Sequence, residues 1–149
     1  MQLDERLAEQ LLVACSELTR AAGAAAGSTP LSLPQGRALG TLERRGPLRV
    51  SRLAELERCA QPTMTALVAR CAGSGLVTRA ADPADARATL VSLTGRGAQV
   101  LAEHRRALSA PLAAALARCG DHERAGAEET VALLTRLTAV VRDATAPPR

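Results

Sequence analysis

Residues 61–97 read QPTMTALVARCAGSGLVTRAADPADARATLVSLTGRG, and the change of period inside this stretch decides the fold. Its first part has helical spacing: Gln61 stands at the N-cap position and Pro62 at the first helical position, and Leu67, Val68 and Cys71 make an apolar stripe that stops at Gly73 to Gly75. Beyond the glycines the spacing becomes that of strands. Leu76 to Arg79 and Thr89 to Leu93 are strand-like, and ADPADA between them is turn chemistry, so a β-hairpin is expected directly behind a short helix.

Moving back toward the N-terminus, Gly46 and Pro47 mark a turn, and SRLAELE offers another short helix with Leu53 and Leu56 facing inward. Two short helices joined by a brief turn make a helix-turn-helix, which turns the following hairpin into a wing. Before them, SLPQGRALGTLERRG predicts a helix from about Pro34 to Gly46 that buries Ala38, Leu39 and Leu42. Leu3, Leu7, Leu11, Ala14, Leu18 and Ala22 recur on one face of a long first helix, interrupted by Gly23, Gly27, Ser28 and Pro30. On the C-terminal side, Thr94 is expected to cap a long helix carrying Leu101, Leu108, Leu112 and Leu116, with Pro111 inside it. Asp121 is expected to cap a last helix with Val131, Leu134, Leu137 and Val141, before a fraying TAPPR tail.

The expected fold class is therefore mainly α with a small β-hairpin wing. A winged helix-turn-helix head at residues 31–97 would be flanked by a dimerisation helix at 1–30 and dimerisation helices at 98–149. The outer helices carry apolar faces that one small head cannot cover, and a second copy covers them most economically.

Charge placement agrees with that division. Residues 1–30 hold 2 Arg against 4 acids, residues 31–96 hold 10 against 5, and residues 97–149 hold 7 against 6, so the positive excess sits on the expected head. A basic centre between near-neutral ends suits a phosphate-binding head, although an arginine-rich solvated surface would give the same count. No residue is Phe, Tyr or Trp, so the core must be built from Leu, Val, Ala, Met and Cys.

From Leu31 to Gly97 the sequence resembles the MarR family of bacterial regulators. LSLPQGRALGTLERRGPLRVSRLAEL is similar to that family's second and third helices, and QPTMTALVARCAGSGLVTR to its recognition helix and the approach to its wing. DPADARATLVSLTGRG is similar to the family's wing motif, in which an Asp-Pro, an Asp-x-Arg and a Leu-Thr-x-x-Gly follow in order. The resemblance implies a transcriptional regulator whose Gln61, Thr63 and Thr65, with Pro62 fixing the first turn, approach base edges in the major groove. Short hydroxyls and an amide at a helix N-terminus suit that role. It also implies that Arg87 lies in or beside the minor groove and that Asp85 orients the wing. The chain departs from the family at Ala66 and Ala86, where many members carry a basic residue. Arg70, and beyond it Arg37, Arg44, Arg45, Arg49 and Arg52, are further candidates for phosphate contact, or else plain surface charges.

The expected partners are double-stranded DNA at a pseudo-palindromic operator, a second copy of the chain, and a small aromatic or anionic effector. Effectors in this family commonly bind between head and dimerisation helices, and Arg20 on the first helix is the candidate for pairing with an effector carboxylate. Cys15 lies on the first helix, where one branch of the family keeps a peroxide-sensing cysteine, which makes redox sensing an alternative to ligand release. Here no Tyr is present to hold such a thiolate, and LLVACSEL reads as partly buried helix face. A winged-helix interaction module without DNA binding is the other alternative.

Enzymatic chemistry is not expected, because the chain has two histidines, no Gly-rich phosphate loop and no Ser or Cys motif with a nearby base. No cofactor is expected either, and Cys119 with His122 supplies only one C-x-x-H pair, short of a zinc site. The N-terminus lacks a signal-peptide pattern and no run approaches the ~18 apolar residues of a membrane span, so a cytoplasmic protein with reduced thiols is expected.

Overall fold

The computed structural model describes residues 2–144, so the TAPPR tail lies outside the described residues. The elements in chain order are α1 (Gln2–Ala26), α2 (Leu33–Arg45), β1 (Leu48–Arg49), α3 (Val50–Glu57), α4 (Gln61–Gly73), β2 (Val77–Asp82), β3 (Asp85–Leu93), α5 (Gly95–Leu116) and α6 (Asp121–Ala144). They form two compact units that divide after Ala110.

The first unit contains the head. Leu39 of α2, Leu53 of α3, Val68 and Cys71 of α4, Val91 of β3 and Leu101 of α5 are fully buried and make its core. With no aromatic ring to fill space, the helices pack through small positions, and Ala38, Gly40 and Ala54 are buried beside the large side chains. Burial also pushes the Cys71 thiol pKa up, which marks it as a packing residue.

Several boundaries differ from the sequence reading. Helix α1 runs through Gly23 and ends only at Gly27, whose φ of 64° is the left-handed stop. An interior glycine costs a helix only about 1 kcal/mol, too little to end one this long. Helix α2 starts one residue before Pro34, behind a complete capping box in which the Ser32 hydroxyl accepts from the Gln35 backbone and the Gln35 side chain accepts from the Ser32 N–H. Leu48 and Arg49, between the Gly46-Pro47 turn and the SRLAELE helix, form a short strand, β1, that pairs with Val91 and Leu90. The sheet is thus three-stranded and antiparallel in the order β1-β3-β2.

Thr94 caps α5 as expected: its hydroxyl accepts from the Gly97 N–H at 2.9 Å and donates to the Gly75 carbonyl at 2.7 Å. One side chain therefore ties the end of the hairpin, the turn after α4 and the start of α5 together.

In the second unit, Asp121 is the first helical residue of α6, not its cap. The Glu123 carboxylate instead accepts from the Gly120 N–H at 2.9 Å, and Arg124 donates to the carbonyls of Leu116, Ala117 and Cys119. Along α6, Val131 and Val140 are exposed and Leu134 is half-buried.

Candidate nucleic-acid interface

Helix α4 begins without a side-chain cap. Ala60 is its N-cap, extended at φ −64° and ψ 141°, so Gln61 and Pro62 occupy the first and second helical positions, one place further in than expected. Proline is tolerated there because the N–H it lacks is one that the first helical turn leaves unpaired anyway. Met64, Leu67, Val68 and Cys71 turn into the core, whereas Gln61, Pro62, Thr63, Thr65, Ala66, Ala69 and Arg70 are exposed. The outward face is short-chained and polar at its N-terminal end. The Thr65 hydroxyl donates to the Gln61 carbonyl at 2.9 Å, which holds its methyl group and oxygen at the surface.

The hairpin is longer and tighter than the sequence suggested. β2 and β3 extend through Asp82 and from Asp85, so only Pro83 and Ala84 connect them, where a six-residue loop was expected. The register jumps between Ala81, which pairs with Thr89, and Asp82, which pairs with Asp85, and Arg87 lies in the unpaired stretch that results. A bulge of this kind re-aims a side chain, and Arg87 is exposed there. The tip is braced by its own acids: Asp85 accepts from the Arg87 N–H at 3.1 Å, and Asp82 accepts from the Ala84 N–H at 2.9 Å. Arg49 of β1 reaches over to both, at 2.6 Å from Asp82 and 3.6 Å from Asp85. The Ala84 hydrogen bond first, and then Arg49, hold the Asp82 carboxyl below its ordinary pKa.

These pieces converge. Arg49, Arg79 and Arg87 from the three strands, Ser51 of α3, and Gln61 and Thr65 of α4 line one recess of about 350 Å³ between α4 and the sheet. Among the described residues, neither Arg79 nor Arg87 has an ion-pair partner, while Arg49 is committed to the wing acids. Ion pairs likewise engage Arg37 with Glu57 and Arg52 with Glu55, and Arg44 donates to Thr41. Arg79 and Ser51 carry no local signal in the sequence, each being one polar residue in an ordinary run; Arg79 pairs with Val91 across β2 and β3 and lines the same recess as Arg87.

A second concavity of about 610 Å³ lies elsewhere in the first unit, lined by Cys15, Ser16, Thr19, Arg20 and Gly23 of α1, by Thr29, Leu31 and Leu33, and by His104 and Leu108 of α5. Arg20 and Cys15 thus share one cavity wall, and Cys15 is half-buried. His104, which the sequence did not single out, is 5% exposed, and its Nδ1 has no hydrogen-bond partner among the described residues. Burial first, and then the neighbouring Arg105 charge, lower its pKa, so the ring is neutral at physiological pH.

Among the described residues no three His, Cys, Asp or Glu side chains come together as a metal site, and no helix is long and apolar enough to cross a membrane.

Comparison with known proteins agrees with this geometry. A family model described as the MarR family matches residues 31–89, the region that runs from before α2 through α4 and β2 into the first half of β3. An uncharacterised HTH-type transcriptional regulator of Mycobacterium bovis is 40% identical over 121 residues, covering 81% of this chain and 85% of its own length. Among solved structures, a transcriptional regulator of Pseudomonas aeruginosa is 31% identical with a TM-score of 0.77, covering 93% of this chain and 99% of its own. A MarR family protein of Bacillus stearothermophilus is 25% identical with a TM-score of 0.73, covering 93% of this chain and 96% of its own. The chain belongs to the MarR family of winged-helix transcriptional regulators, which act by binding DNA and are not enzymes.

Proposed function

We propose that the chain works as a homodimer that reads a pseudo-palindromic operator and represses by occupying it until a small anionic effector binds. The observation that carries the DNA part is the recess in which the N-terminal turn of α4 meets the unpaired arginines of the wing. In this reading Gln61, Thr63 and Thr65 face base edges, Pro62 fixes the first turn, Arg70 meets a phosphate, and Arg87 enters the minor groove. Asp85 orients the wing through Arg49 and the Arg87 backbone, and Arg79 adds a backbone contact inside the recess.

Dimerisation is supported by apolar side chains that this chain leaves in water. Leu3, Leu7, Leu12 and Leu18 on α1 and Val131 and Val140 on α6 are each at least half exposed. The effector is assigned to the 610 Å³ cavity, whose walls are mainly apolar and whose Arg20 offers a cation to a carboxylate. Because Cys15 lines the same cavity, oxidation of its thiol is the second route by which the operator would be released.

Selection of random-sequence duplexes by the purified protein across a salt series tests the central claim. Enrichment of a pseudo-palindrome with steep salt dependence is the expected result. Recovery of no sequence at any salt would instead favour an interaction module without DNA binding.

A further inference from the structure

The outward face of α4 divides into two chemistries. At its N-terminal turn, Gln61 and Thr65 border the arginine-lined recess against the sheet. The same two residues also border a second, open groove of about 580 Å³, whose other walls are Pro62, Ala66 and Ala69. Pro62, Ala66 and Ala69 are spaced by four and then three residues, so they lie along one face of the helix, and all three are exposed. Among the described residues no charged side chain lines this groove. The Thr65 hydroxyl donates to the Gln61 carbonyl, so its one donor is spent within the helix. What the groove offers a partner is therefore methyl and ring surface, with the Gln61 amide at one end.

We propose that Pro62, Ala66 and Ala69 set the base preference of the operator half-site by packing against thymine methyl groups. This rests on the reading of α4 as the element that enters the major groove. Continuity with the arginine-lined recess, through Gln61 and Thr65, is what assigns the groove to DNA. The 5-methyl group of thymine is the apolar feature that base edges present in the major groove, and small side chains match it. Guanine is read best by a bidentate arginine or lysine, and neither lines the groove. A glutamine amide, by contrast, pairs with adenine, so Gln61 extends the same preference to the other strand. From Pro62 to Ala69 the helix rises about 10 Å, the length of about three stacked base pairs, so a short run of A·T pairs fits the groove. The two regions then divide the work. The arginines supply salt-dependent affinity for the backbone, and the apolar groove supplies a preference among bases that salt does not touch.

The test uses the full-length protein and the half-site that it selects from random duplexes. Neighbouring A·T pairs are expected in that half-site. Each thymine is then replaced singly by uracil, which removes the methyl group and leaves the hydrogen-bonding edge unchanged. Affinity measured by fluorescence anisotropy is expected to fall about fourfold for each contacted methyl, and by the same factor at low and high salt, because no ion is released with it. Ala66→Gly and Ala69→Gly are each expected to bind the thymine and uracil forms alike at one of these positions while keeping the wild-type salt slope. Should a glycine variant lose its helical circular dichroism, the serine variant at that position takes its place, and its hydroxyl beside the methyl position is expected to abolish the thymine preference as well. A half-site without neighbouring A·T pairs, uracil substitutions that leave affinity unchanged, or uracil losses undiminished in the variants at both positions overturn the inference and leave DNA binding intact. Recovery of no sequence overturns the reading of α4 and the inference together.

Discussion

Arg87 and Arg49 are the same residue type on adjacent strands, and the structure uses them differently. Arg49 is held between Asp82 and Asp85, so its charge is spent within the protein, whereas Arg87 projects from a bulge with no ion-pair partner among the described residues. Arg87→Ala should therefore weaken operator binding by about 1–3 kcal/mol and reduce the slope of log K against log salt by about one, measured by fluorescence anisotropy over a salt series. A folded Arg87→Ala protein with unchanged affinity and slope would take the wing out of the interface. His104 carries a stability prediction that needs no ligand. Its folded pKa lies below the ordinary value of 6.5, so below that pH the unfolded chain takes up a proton that the folded chain resists. Folding stability tied to this residue is thus complete above about pH 6.5 and falls as the solution is acidified. Thermal melts at about pH 7.5 and pH 5.5 should show a larger acid-induced drop in Tm for wild type than for His104→Leu. Equal drops would mean that the ring protonates as freely in the folded protein as out of it.

Elements were legible in the sequence where a periodic run had its own stop signals, and less so where tertiary pairing decided. Thr94 belongs to the first kind: it stands before a helical run, and its hydroxyl both caps α5 and fastens the Gly75 turn. Thr94→Ala should cost about 1–2 kcal/mol in urea melts, with an unchanged m-value, because one helix-end donor and one turn carbonyl lose their partner together. A cost near zero would show that water replaces the hydroxyl at both places. Helices α2 to α5 and the hairpin were readable for the same reason. β1 was not, because two residues carry no period, and their strand character comes only from lying beside Leu90 and Val91. The length of β2 and β3 was underestimated because Asp, Pro and Ala read as loop formers, while Arg49 and the wing acids across the sheet hold that tip in strand geometry. The site followed the same rule. Gln61, Thr63, Thr65 and Arg87 were visible through a resemblance of contiguous motifs, but Arg79 and His104 gain their significance from residues far away in sequence, and no local pattern announces that.

At the scale of the whole molecule, the head has a complete core of its own, while the outer helices keep large apolar side chains in water. Leu7 on α1 is 53% exposed and Val140 on α6 is 65% exposed, so neither contributes much to the fold of the isolated chain. Charging them should therefore leave the protein folded and act only on association. Leu7→Asp and Val140→Asp, made separately, should each shift the mass measured by light scattering from twice the chain mass of 15.4 kDa toward that single mass at micromolar concentration. The effect on DNA follows from linkage between the two heads. A dimer binds a full palindrome with the second head already delivered to its half-site, so dissociation should weaken full-site binding by about a hundredfold while leaving single half-site binding close to wild type. Circular dichroism separates this from unfolding, since the helical signal should persist. If both variants remain dimeric and retain full-site affinity, the exposed faces of α1 and α6 are not where copies meet, and a dimeric reader would have to be assembled through another surface of the head.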